Sequence, residues 1–254
     1  MFEQSVNSTL PDSAKRIFER LNRLVRRTHG HPYDELTTAV IRNVLGPHSN
    51  SVDAGCHEGA ILDAVLAQAP LGIHFAFEPL PEFAERLRTK YLGRMNVQVH
   101  ACALSSGSGT TTFHQNIEAP AYSGIKRRKY PESTHEVRTF TVSKCQLDDV
   151  VPPDHHISFI KIDVEGGEYD LLRGAARILR LNRPTVVFEF GLGAADYYGT
   201  TPDMMFQLLS NAGLAIYPLD SCARGPLDRA GFERQFNRRL NYYFCATAAG
   251  TRPF

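Results

Sequence analysis

Residues 159–175 read FIKIDVEGGEYDLLRGA, and the rest of the chain is organised around them. Ile157 to Ile162 is a short, mostly apolar run, the pattern of a buried strand. Lys161, Asp163 and Glu165 alternate through its end, so they share one side as far as the backbone stays extended. Gly166-Gly167 then permit a sharp turn. From Glu168 the residues Leu171, Leu172, Ala175, Ile178 and Leu179 fall on one stripe of a helix expected to reach Arg180. Charged side chains at the end of a buried strand cost free energy unless they pair or bind something. Lys161, Asp163 and Glu165 are therefore either a structural ion network or part of a site.

The same strand–turn–helix unit recurs on both sides. Upstream, Ser51–Ala54 leads into the helix Ile61–Gln68, Ile73–Phe77 into Pro81–Tyr91, and Val97–Cys102 forms a third strand. Downstream, Thr185–Phe190 is followed by the helix Asp203–Ala212 and the strands Leu214–Leu219 and Tyr242–Ala246. This alternation predicts one α/β domain with a mostly parallel sheet and helices on both faces. Residues 105–155 break the rhythm and read as an insertion: a hairpin, Thr110–His114 with Val137–Val142, and a loop carrying Lys126–Lys129. Residues 12–28 read as a basic amphipathic helix with Ile17, Leu21, Leu24 and Val25 on its apolar face. That helix either packs on the core with a solvated basic face or acts as a lid or a contact for an acidic substrate. A second helix is expected from Tyr33 to Leu45. The organisation is then an N-terminal helical extension, 1–48, packed on a core domain, 49–254.

Composition narrows the partners. The 254 residues carry a formal net charge of +1, so no bulk charge draws the chain to nucleic acid or a membrane surface. No apolar run approaches the roughly 18 residues of a bilayer span, and the N-terminus lacks the apolar core of a signal peptide. Cys56, Cys102, Cys145, Cys222 and Cys245 are odd in number, scattered and without a CxxC pair, which argues against a disulfide framework or a zinc knuckle. The expectation is a reduced, cytoplasmic protein with no nucleic-acid partner, no membrane span and an open oligomeric state.

Open α/β sheets bind ligands at the carboxyl ends of their strands, where the strand order reverses. At one such end stands SVDAGCHEG (51–59), in which Asp53 closes a strand and Gly55 and Gly59 allow a tight turn. The pattern is DxGxxxG rather than the dinucleotide fingerprint GxGxxG. A carboxylate there repels a pyrophosphate and suits an ammonium or hydroxyl group. At the next end stands FAFEP (75–79), where Glu78 is placed to accept both hydrogen bonds of a ribose diol.

KIDVEGGEYDLLRGA, with QLDDVV (146–151) before it, PTVVFEF (184–190) after it, and VDAGCHEGA (52–60) and FEPLPE (77–82) upstream, resembles the FkbM family of S-adenosylmethionine-dependent methyltransferases. The resemblance runs from about Ser51 to Phe190. It implies a class I methyltransferase fold, Rossmann-like, with a seven-stranded, mostly parallel sheet whose last strand is antiparallel. It also implies methyl transfer, usually to a hydroxyl of a sugar, glycan or natural product. Asp53, Gly55 and Gly59 match the family's cofactor turn, Glu78 matches its ribose acid, and Ala103-Leu104-Ser105 stand where adenine would lie. Family members often read GAN after the Asp, whereas here Cys56-His57 follow Gly55. His57 is then a polar contact to the cofactor, a base, or a plain turn residue. Asp163 is expected near the reacting methyl group with Glu165 in support and Lys161 pairing beneath. It acts as general base or, with Glu165, as a metal ligand. The metal-free version is favoured, because two carboxylates leave most positions of a hard divalent ion to water. Arg127, Arg128 and Tyr197 are candidates for contact with the acceptor. Two other functions fit the same residues: a nicotinamide oxidoreductase, since Glu78 would serve any nucleoside ribose, and a non-catalytic module on the same fold.

Overall fold

The computed structural model describes residues 32–128 and 136–253. The basic helix expected at 12–28 lies outside the described residues, as does Lys129. The described part begins with helix α1 (Pro32–Val44) and then alternates through β1 (Asn50–Ala54), α2 (Ala60–Gln68), β2 (His74–Phe77), α3 (Pro81–Lys90) and β3 (Val97–His100). The insertion follows, with β4 (Ala103–Leu104), β5 (Gly109–Asn116) and β6 (Val137–Cys145). After α4 (Leu147–Val150) come β7 (Ile157–Ile162), α5 (Glu168–Arg173), α6 (Ala176–Asn182) and β8 (Thr185–Glu189). The chain closes with α7 (Pro202–Asn211), β9 (Leu214–Pro218), α8 (Arg229–Asn237) and β10 (Tyr243–Ala248).

The main sheet has seven strands in the order β3-β2-β1-β7-β8-β10-β9. All neighbours pair in parallel except β10, which runs antiparallel to both β8 and β9. Strands alternate their side chains between faces, and here both faces are buried. Ile160, Val186 and Phe244 pack into one core with Leu171, Ile178 and Met205 from the helices. Phe159, Val187 and Cys245, each adjacent in its strand to one of those three, pack into a second core with Val40 and Ile41 of α1 and Ile61 and Val65 of α2. That two-sided burial is why these strands read as continuous apolar runs. The order reverses between β1 and β7, which puts the topological switch point at their carboxyl ends.

The insertion forms a separate three-stranded sheet, β4-β6-β5, and its long hairpin β5–β6 extends further than the sequence pattern indicates. The expected helix 168–180 is divided in two. Gly174 lies so close to the Ser105 carbonyl that a Cβ there would overlap it. Asp148 then restarts the helix, accepting hydrogen bonds from the backbone N–H groups of Arg177 (2.6 Å) and Ile178 (3.1 Å). Among the described residues no helix is long and apolar enough to cross a membrane.

Candidate active site

Sheet register builds the site. Asp53 of β1 pairs laterally with Lys161 of β7, and Lys161 with Val187 of β8. Two residues further on, Glu189 ends β8 directly opposite Tyr243 of β10. Side chains two apart on a strand share a face, so Asp163, Glu189 and Tyr243 meet above the Asp53–Lys161 row. Their arrangement is a consequence of pairing rather than of local sequence.

A cavity of about 760 Å³ opens over this edge. At one end it is walled by the turn Gly55–Glu58, by Glu78 and by Ala103. At the other end stand Lys161, Asp163, Glu165, Glu189 and Tyr243. The insertion contributes Phe113, Tyr122 and Ile125, and α1 contributes Tyr33 and Asp34. Tyr33 stacks on Tyr243 with ring centroids 4.2 Å apart, so α1 forms part of the rim.

Glu78 is buried, and its carboxylate accepts one hydrogen bond from the His57 backbone N–H and one from that of Leu80, each 2.9 Å. It thereby fixes the glycine turn while lining the cavity. Burial raises its pKa and those two donors pull it back down. His57 has φ 49° and lines the cavity, with its ring stacked on Phe83 at 4.2 Å. Burial lowers its pKa. Gly55 has φ +74°, and a Cβ there would overlap the Asp163 carbonyl oxygen. The glycine is therefore required for β1 and β7 to pass closely at the switch point, before any ligand is considered.

Asp53 is placed differently from the simple expectation. It is 1% exposed and absent from the cavity wall. Lys161 stands 3.5 Å from its Oδ1, and neither carboxylate oxygen accepts a hydrogen bond of good geometry. Lys161 also donates to the Gly55 carbonyl at 2.7 Å. Burial would push the lysine pKa down, but Asp53 and Asp163 more than reverse this and raise it. Asp53 thus reaches the cavity through Lys161, which ties the glycine turn to the strand below it.

The acidic end is dense. Ligand atoms of Asp163, Glu165 and Glu189 all lie within 4.8 Å of one another. Tyr243 donates its hydroxyl to Asp163 Oδ2 at 3.3 Å. Burial, then the charge of Asp163, holds both Glu165 and Glu189 well above the usual carboxylate range. The strand ends at Ile162, so alternation does not place Glu165. It sits instead in the following turn at φ +60°, a conformation that a non-glycine residue holds only when its surroundings fix it. Arg128 provides the fixing through an ion pair with Glu165 Oε2. Glu168 closes the turn by accepting from the backbone N–H groups of Val164 (3.2 Å) and Gly166 (3.0 Å).

The remaining expected residues divide. Ala103 lines the cavity, whereas Ser105 is buried outside its wall, its N–H donated to the Cys145 carbonyl at 2.9 Å. Gly59 is also outside the wall and packs against Tyr91 and Leu87. Arg127 is exposed and Tyr197 is not in the wall. Its neighbour Tyr198 accepts a hydrogen bond from the Lys126 N–H at 3.1 Å, which holds the insertion loop to the turn. Among the described residues of the basic run, Arg128 is the one turned inward, and Glu165 already neutralises it.

The family profile described as "Methyltransferase FkbM domain" matches residues 53–214, more than half of the chain. The chain belongs to the FkbM methyltransferase family. The methyl donor of FkbM methyltransferases is S-adenosylmethionine, which sets the nicotinamide reading aside. Solved structures are similar at low identity. An FkbM methyltransferase from Methylobacillus flagellatus has TM-score 0.49 and 16% identity over 80% of this chain and 44% of that one. A SAM-dependent O-methyltransferase from Thermotoga maritima has TM-score 0.44 and 14% identity over 87% and 67%. An rRNA methylase from Streptococcus thermophilus has TM-score 0.46 and 12% identity over 86% and 96%. The chain spans under half the length of the Methylobacillus protein. In the comparison with curated proteins nothing matches. Net charge describes the bulk surface rather than the mouth of a site, so the exclusion of nucleic acid is not retained.

The FkbM family cofactor fits the residues present. The cavity falls in the size range of small-molecule sites. Glu78 is held at the second strand end with its carboxylate on the cavity. The excess of carboxylates at the far end suits a sulfonium cation. Glu189 is a wall carboxylate that sequence reading left without a role. Its signal is the same as that of Glu78: an acid closing a buried run, here Val186-Val187-Phe188-Glu189.

Proposed function

We propose that the chain transfers a methyl group from S-adenosylmethionine to a hydroxyl of a small-molecule or glycan acceptor. The observation that carries this reading is one cavity that holds Glu78 at one end and the Asp163–Glu165–Glu189 cluster at the other. The bound donor supplies an activated methyl group with a neutral leaving group. The protein then has to align the acceptor oxygen and remove its proton. Asp163 is the base in this reading. The Tyr243 hydroxyl orients Asp163 by donating to Oδ2. Arg128 neutralises Glu165 and holds it to the acceptor side of the turn. Glu189, whose proton affinity is raised by burial and by Asp163, shares the proton that Asp163 takes up. Lys161 and Asp53 keep the glycine turn and β7 in register beneath the reacting atoms. The aromatic rim of Tyr33, Tyr122 and Tyr243 suits the apolar face of a sugar ring.

Titration of S-adenosylmethionine into the wild-type chain and Glu78→Gln tests the cofactor half. The variant keeps one acceptor oxygen for the backbone and removes the charge. Binding should weaken by about 1.5–3 kcal/mol, the scale of a charge-assisted hydrogen bond. Release of S-adenosylhomocysteine on addition of hydroxylated sugars tests the other half. Undiminished affinity in a folded Glu78→Gln protein overturns the assignment of Glu78.

A further inference from the structure

Cys102 and Cys145 are 43 positions apart in sequence, yet their Sγ atoms lie 2.7 Å from each other. Nonbonded carbon atoms prefer about 3.5–4.0 Å, and a disulfide requires about 2.03–2.05 Å, so closing the gap takes less than about 1 Å of movement. The backbone explains the approach. Cys102 immediately precedes β4, whose Leu104 pairs with Cys145 at the end of β6. Both cysteines are partly exposed, and Cys102 lines the cavity. The other three cysteines are buried. Cys56 and Cys222 direct their thiols to backbone carbonyls, of Asp53 at 2.9 Å and Pro218 at 3.2 Å.

We infer that Cys102 and Cys145 are a reversible dithiol–disulfide pair that locks the insertion to the wall of the cavity. Either thiol can donate its S–H to the other, so either can begin the exchange, Cys145 being taken first. The co-reactant is a low-molecular-weight disulfide. The Cys145 thiolate attacks one of its sulfurs, forming a mixed disulfide and expelling one thiolate. Cys102 then loses its proton and attacks the Cys145 sulfur, expelling the second thiolate. Two protein thiols are oxidised, one disulfide is reduced to two thiols, and the two protons end on those thiols. The ring so closed contains residues 103–144, and with them Tyr122 and Arg128 of the cavity and its acidic end. Oxidation therefore restrains the hairpin that forms one wall, and reduction releases it.

The experiment uses the full chain incubated with oxidised glutathione, then alkylated, digested and analysed by mass spectrometry. The expected result is a peptide pair linked through Cys102 and Cys145, removed by dithiothreitol, with Cys56, Cys222 and Cys245 recovered as alkylated thiols. The oxidised protein should melt higher by roughly 8–16 °C, as expected for cross-linking a segment of this length. That rise should be absent in Cys145→Ser treated the same way. Glutathione adducts at either cysteine without the linked peptide overturn the inference. So does a linked peptide whose melting temperature equals that of the reduced protein. Neither readout depends on methyl transfer.

Discussion

At the scale of single residues, Asp163 is distinguished from the acids around it by its partners. Glu165 is neutralised by Arg128, and Glu168 and Glu78 are occupied with backbone N–H groups. Asp163 faces the cavity with a tyrosine hydroxyl as its side-chain donor. Asp163→Asn keeps the shape and removes the proton acceptor. We predict a fall in turnover of at least about a hundredfold, the usual contribution of a positioned base. Affinity for S-adenosylmethionine should stay within a few-fold of wild type, measured by titration on the same preparation. Retained turnover would remove Asp163 from the proton transfer and point to Glu189. Residue identity placed Asp163 and Glu78 at the sheet edge, because each is an acid at the end of an apolar run, and both line the cavity. It could not show that Asp53 lies beneath the cavity, behind Lys161. That outcome depends on which side chain of the next strand fills the space above it.

At the scale of elements, the β7–α5 turn carries a pH dependence of its own. Burial raises the Glu168 pKa from 4.5 to about 7 against the pull of the Gly166 and Val164 N–H groups. In the folded chain the carboxyl thus holds its proton over a window in which the unfolded chain has released it. Glu168 favours folding in full below pH 4.5, and this contribution is lost as pH rises through about 7. The span corresponds to about 3 kcal/mol. Glu168→Gln keeps an oxygen for the two backbone donors and does not titrate. Denaturant melts at about pH 5 and pH 8 should therefore differ by less in the variant than in wild type, by up to that amount. An unchanged difference would show that Glu168 ionises in the folded chain as it does in the unfolded one. The elements themselves were largely legible, since continuous apolar runs mark strands buried on both faces. The illegible features were tertiary. Helix 168–180 divides because Gly174 meets the Ser105 carbonyl and Asp148 caps the second half. The third strand stops at His100, and two residues after it Ala103 and Leu104 enter a second sheet by pairing with β6.

At the scale of the molecule, the position of the cavity follows from the strand order and its charge from the register. The reversal between β1 and β7 leaves a crevice at their carboxyl ends, and the insertion and α1 wall it in. Asp163, Glu165 and Glu189 give that crevice an acidic end in a chain whose formal net charge is +1. A cationic sulfonium is matched to the Asp163 carboxylate at that end, whereas the pyrophosphate of a dinucleotide would meet it as repulsion. A ligand that binds only the folded state raises stability by about 2.7 kcal/mol at about one hundred times its dissociation constant. For a chain of this size that is a rise in melting temperature of roughly 5–10 °C. We predict such a rise, saturable in ligand concentration, with S-adenosylmethionine, and none with NAD at equal concentration. In Glu78→Gln the concentration needed for half of the rise should increase by at least about tenfold, following the weaker charge-assisted bond. A shift with NAD equal to that with S-adenosylmethionine would mean that the cavity selects only the nucleoside. The acidic cluster would then have no part in choosing the cofactor.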